Sequence, residues 1–231
     1  MDQTSNNLLG ETLNILARQR SAIRKATAPR LRQPAKVSAD QAAACFAKFD
    51  PCDDPELQAL LAAAVNYCGD MASGTAPARW LTLLGDPGCG KTLIAKCIRT
   101  FFRRHLDGLP DERFNPAIEV RYRKGGLKVW GEAMAEMIRG DFTGLRDLRE
   151  DWFVVLDDVG TENARSVELS RSTLFEVLNA RVGLWTVLTA NLTLEQVAER
   201  MDPRIASRLL RDGSIVIDCK AGDFALRRLS A

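Results

Sequence analysis

Gly85-Asp86-Pro87-Gly88-Cys89-Gly90-Lys91-Thr92 gathers three glycines, a lysine and a hydroxyl at the spacing G-x-x-x-x-G-K-[ST]. That pattern suits the cradling of a nucleoside triphosphate. Glycines admit backbone angles closed to other residues, so consecutive N–H groups can turn inward around an anion at the positive end of a helix. Lys91 would then reach the terminal phosphates, and the Thr92 hydroxyl would take a magnesium coordination position. A glycine-rich turn that binds nothing is the bland alternative. The context favours the cradle: Trp80 to Leu84 form an apolar run of strand character before it, and Leu93 to Phe102 follow with helical spacing.

Further polar residues stand where apolar runs end. The run from Trp152 to Leu156 stops at Asp157 and Asp158. It reads as a buried parallel strand whose carboxyl end lies beside that of the first, where open α/β sheets bind ligands. Asp157 is then placed to hold magnesium through water, and Asp158 to orient or deprotonate an attacking water. Two acids in a solvated turn would look the same in isolation. Asn191, at the tip of the run Leu184 to Ala190, adds an amide able to bond both water and phosphate, or simply caps a turn. Arg204 and Arg208 are four residues apart on one face of a short helix opened by Asp202 and Pro203. They form either a solvated basic face or a pair offered to a neighbouring subunit's nucleotide.

These stretches resemble, in order, the Walker A, Walker B, sensor I and arginine-finger motifs of DnaC/IstB-type AAA+ ATPases: Gly85 to Thr92, Val154 to Asp158, Thr189 to Asn191, and Arg204 to Leu209. The resemblance spans residues 40 to 225 approximately. It implies ATP and Mg²⁺ as cofactors, and hydrolysis completed in trans by Arg208, assisted by Arg204. It also implies head-to-tail homo-oligomers, closing as rings or opening as spirals. The implied function is delivery of a replicative helicase to single-stranded DNA during replication. The alternative is a transposition helper that assembles on duplex DNA and recruits a transposase. Two departures stand out. Loaders usually carry Asp-Glu where this chain has Asp157-Asp158, so hydrolysis is expected to be slow or to enlist Glu162. The chain also ends at Ala231, soon after the expected fifth strand, so no helical lid is expected and Arg227 and Arg228 are left without a sensor role.

Positioning these groups calls for an α/β fold: a P-loop NTPase core with a five-stranded parallel sheet flanked by helices. Strands are expected at Trp80 to Leu84, Ile118 to Arg123, Trp152 to Asp158, Leu184 to Ala190 and Ser214 to Asp218. Helix starts are marked by Ser38 with Gln41, by Asp54-Pro55, by Thr193 with Gln196 and by Asp202-Pro203. The ATPase domain is expected over residues 39–231. Residues 1–38 read as an arm and linker: Leu9, Leu13, Leu16 and Ile23 form one apolar stripe, and Pro29 and Pro34 break the pattern. From Arg18 to Lys36 the arm carries seven basic residues and no acidic one. It reads as a helicase-docking helix, or as an amphipathic helix packed on its own domain.

The basic segment Arg121, Tyr122, Arg123 and Lys124, set just after the expected second strand, suits single-stranded DNA: cations meet phosphates and a ring stacks on a base. A solvated strand end before a glycine turn would have the same composition. Overall charge says little, since 32 basic residues face 30 acidic ones. Six cysteines without a C-x-x-C pair, beside a single histidine, argue against zinc and for reduced thiols in the cytoplasm. No signal-type N-terminus is present, and no apolar stretch approaches the ~20 residues of a membrane span, so no membrane partner is expected.

Overall fold

The structure is a computed structural model, and it describes residues 37–114, 121–160, 167–211 and 213–222. The expected arm lies outside these residues except for Val37 and Ser38, as do Glu162, Arg227 and Arg228. In chain order the elements are α1 (Ala39–Ala44), α2 (Pro55–Ser73), β1 (Trp80–Gly85), α3 (Lys91–His105), β2 (Gly125–Val129), α4 (Trp130–Ile138) and α5 (Thr143–Glu150). There follow β3 (Phe153–Val159), α6 (Val167–Ala180), β4 (Trp185–Ala190), α7 (Leu194–Arg200), α8 (Pro203–Leu209) and β5 (Ile215–Cys219).

Helix starts form where the sequence marks them. Ser38 with Gln41, and Thr193 with Gln196, close reciprocal capping boxes on α1 and α7. The Asp54 carboxylate accepts the N–H groups of Glu56 and Leu57 above a first-turn proline. Each cap satisfies amides that a helix start leaves unpaired and contributes about 1 kcal/mol.

The sheet is parallel throughout, in the order β2-β3-β4-β1-β5. Strand alternation sends Leu81 and Leu83 into a core shared with α1, α2 and α3, and Trp80 and Leu84 into a second core shared with α4 to α8. Helices thus cover both faces, which is why β1, β3 and β4 read as nearly unbroken apolar runs. All five strands point the same way, so their carboxyl ends share one edge.

The second strand departs from the expected position. It is Gly125–Val129, in register with β3 from Phe153 to Asp157, whereas Tyr122 makes an isolated antiparallel bridge with Pro110. The glycine pair that resembles a turn is a close-packing site. A Cβ on Gly125 would stand 2.5 Å from the Phe153 carbonyl oxygen and 2.8 Å from the Phe102 ring. Only glycine lets α3 press so near the start of this strand. The basic segment Arg121 to Lys124 therefore precedes β2, at the amino edge of the sheet.

Arg181 ties that amino edge together. It is fully buried and donates to Thr186 Oγ1 at 2.8 Å, to the carbonyls of Leu148 and Asp151 at 2.9 Å each, and to Trp185 O at 2.7 Å. Burial holds its pKa below the ordinary arginine value.

Candidate functional site

The glycine-rich loop runs from the carboxyl end of β1 into α3. Gly85, Gly88 and Gly90 take φ of 109°, 82° and 93°, the left-handed region in which an inward-facing row of amides forms. Gly85 is also fixed by its neighbour strand, because a Cβ there would lie 2.1 Å from Cys219 O. Lys91 is buried and folded over the loop. Its Nζ donates to Gly85 O at 2.9 Å and Asp86 O at 2.6 Å, and lies 3.5 Å from Cys89 Sγ.

From Thr92 a hydrogen-bonded path crosses three elements. Thr92 Oγ1 donates to Asp157 Oδ1 at 3.0 Å, and Thr189 Oγ1 donates to the same oxygen at 2.7 Å. Thr189 Oγ1 in turn accepts the Asp158 N–H at 2.9 Å, and Asn191 Nδ2 donates to Asp158 Oδ1 at 3.3 Å. Asp157 is buried and Asp158 half-buried. Asp158 has φ 57°, and the pairing of β3 with β4 slips between Leu156 and Val159. This irregularity breaks the strict alternation of β3, so Asp157 and Asp158 can both serve one edge. Thr189 was not singled out from the sequence. Its signal was a hydroxyl inside an apolar strand that ends one residue before Asn191.

A hydroxyl and a carboxylate 3.0 Å apart form an all-oxygen donor pair of the kind a hard divalent cation takes. Lys91, a buried cation folded over a loop of positive-φ glycines, fits a polyphosphate. The residues present therefore suit Mg²⁺ and a nucleoside triphosphate. The loop, Asp157, Asp158 and Asn191 come together at the carboxyl edge of the sheet.

Arg204 and Arg208 stand apart from this group. Arg204 forks onto Asp202, at 3.0 Å from Nε to Oδ1 and 2.8 Å from Nη2 to Oδ2, and its guanidinium lies 4.8 Å from the centre of the Phe175 ring. Arg208 Nη2 donates to Asn179 Oδ1. Among the described residues neither arginine is hydrogen-bonded to residues 85–92, to Asp157 or to Asp158.

The basic segment is largely occupied by its own chain. Arg123 is buried, pairs with Glu112 Oε2 at 2.9 Å and lies 4.4 Å from the Trp152 ring centre. Trp152 Nε1 holds the other oxygen of Glu112 at 3.0 Å. Arg121 stacks 4.3 Å from the Phe114 ring centre. Arg121, Tyr122 and Lys124 line a groove of about 1170 Å³ that also contains Asp111, Asp147 and Asp151, so its charge is mixed.

No protein-family model and no curated protein sequence matches the chain. Solved structures match its fold. A DnaC helicase loader aligns at 17% identity and TM-score 0.56, covering 76% of this chain and 96% of the other. DnaI aligns at 18% and 0.54, covering 74% and 85%. AMPPCP-bound DnaA from Aquifex aeolicus aligns at 13% and 0.54, covering 80% of this chain and 55% of that one. The chain thus shares the fold of these structures, a parallel sheet covered by helices on both faces. Among the described residues no helix is long and apolar enough to cross a membrane.

Proposed function

We propose that this chain is an ATP-hydrolysing protein of DNA replication, acting in the cytoplasm as a DnaC-like helicase loader. The observation that carries the reading is the path from Thr92 through Asp157 and Thr189 to Asp158 and Asn191, beside a loop lysine. It lies in a fold shared with a helicase loader and with a nucleotide-bound initiator.

In this reading Lys91 exchanges its loop carbonyls for the terminal phosphates of ATP, and Thr92 and Asp157 would hold Mg²⁺, which would supply charge opposite to that of the phosphates. Asp158, steadied by Asn191, orients the attacking water and draws off its proton. Arg208, helped by Arg204, serves the site of the next subunit in a head-to-tail ring or spiral. Their position away from the chain's own loop supports this assignment. An arginine supplied in trans is worth ~10³ to 10⁵ in rate, so isolated subunits hydrolyse poorly. Residues 1–38 dock the helicase.

The experiment is ATP turnover per subunit at rising protein concentration, together with co-purification of the full-length protein with its host's replicative helicase. Turnover per subunit should climb with concentration, and the helicase should be retained. A constant rate per subunit removes the trans arrangement. Retention of a transposase in place of the helicase replaces loading with the transposition role.

A further inference from the structure

α3 has a solvent face that the phosphate loop does not use. Its 15 residues include Lys96, Arg99, Arg103 and Arg104 and no acidic side chain. At 3.6 residues per turn Lys96, Arg99 and Arg103 share one stripe, with Arg104 at its margin. Lys96, Arg103 and Arg104 are exposed and Arg99 is half-buried. Among the described residues none of the four has an ion-pair partner, and Arg99 Nε is buried without a hydrogen bond. The charge is felt locally: His105 titrates below its ordinary value, first through burial and then through Arg104.

Cations in a last helical turn complement the helix dipole, which accounts for Arg103 and Arg104. It does not account for Lys96 and Arg99, which lie further back along the helix. Arg123, by contrast, is buried against Glu112 and Trp152, so exposed positive charge is denser on α3 than on the segment before β2. The stripe also lacks a stacking platform. Phe101 and Phe102 are fully buried, and the positions beside the cations are Leu93, which is exposed, and Thr100, which is half-buried. Proteins that hold single strands add aromatic rings on which bases stack, whereas a purely cationic rigid face reads backbone phosphates.

We propose that the exposed face of α3 binds the phosphate backbone of duplex DNA through Lys96, Arg99, Arg103 and Arg104. The contact is independent of base sequence and separate from Lys91 and Thr92, so it does not rest on the hydrolysis reading.

Fluorescence anisotropy of the full-length protein on a labelled duplex, across a salt series, tests it. Replacing all four residues with alanine should reduce the slope of log K against log salt by about 3 to 4, at ~0.9 per lost phosphate contact. Because Arg99 is half-buried, Arg103→Glu serves as a second variant confined to the surface. It should lower the slope more than Arg121→Ala does. Nucleotide titration of both α3 variants confirms an intact fold. An unchanged slope in both α3 variants overturns the proposal. So does a loss seen on a single strand of equal length and not on the duplex.

Discussion

The two edges of the sheet use polar residues in opposite ways. At the amino edge Arg181 is enclosed and every partner is supplied by the chain: three carbonyls and a hydroxyl. Trp80 Nε1 donates to Arg181 O, and Tyr67 Oη reaches both Arg79 O and Thr186 O, each at 3.1 Å. At the carboxyl edge the corresponding lysine is held by loop carbonyls and a thiol, two hydroxyls converge on one oxygen of Asp157, and Asp158 takes a left-handed backbone. A closed buried network makes an edge rigid and specific. An edge whose groups tolerate strain and provisional partners is suited to a ligand that replaces those partners. Stability should therefore concentrate at one edge and activity at the other.

Lys91→Ala gives the largest separation. Turnover should fall below detection and ATP affinity should drop roughly 10- to 100-fold, the value of a charge-assisted contact. Thermal stability should move little, because the Lys91 Nζ contacts stay within the loop and the last residue of β1. Nucleotide titration and a melting curve on one preparation make the comparison, and wild-type affinity would remove the loop from the mechanism. Arg208→Ala is next: it should keep ATP binding and lose ~10³ or more in concentration-dependent turnover. Mixing it with Asp158→Asn subunits should restore part of the rate by joining an intact site to an intact arginine. Normal turnover by Arg208→Ala alone would end the trans assignment.

The amino edge should respond the other way round. Arg181→Met leaves three buried carbonyls and a hydroxyl without their donor, and relief of the buried charge offsets only part of that loss. The expected destabilisation is about 2 to 4 kcal/mol, a melting temperature lower by roughly 5 to 15 °C, with ATP affinity intact at temperatures where the variant is folded. Loss of affinity in a folded variant would show that the two edges are coupled.

The phosphate loop was legible because its requirement is local, a contiguous row of residues between a strand and a helix. Asp157, Asp158 and Asn191 were legible through the rule that ligands gather at the carboxyl ends of parallel strands. What escaped was set by partners distant in sequence. Thr189 matters through Asp157 on the neighbouring strand. β2 was placed too early because its glycines look like a turn until the Phe102 ring is seen against them. Arg123 looked available because Glu112 and Trp152, which occupy it, are brought near only by the fold. Arg181 gave no local signal of its role.

The smallest effect tests whether the carboxyl edge carries strain at all. Asp158 sits at φ 57°, a region that aspartate tolerates better than most residues and that glycine enters freely. Asp158→Gly removes the carboxylate and accepts the backbone, while Asp158→Ala removes the same carboxylate and keeps the steric penalty. Both variants should lack turnover, since neither can orient water. They should differ in stability, with alanine the weaker by about 1 kcal/mol, or roughly 2 to 4 °C in melting temperature for a chain of this size. Each loses the same bond from Asn191 Nδ2 at 3.3 Å, so that contact cancels in the comparison. Equal melting temperatures would mean that the left-handed turn is free of strain, and the contrast between the edges would then rest on their hydrogen bonds alone.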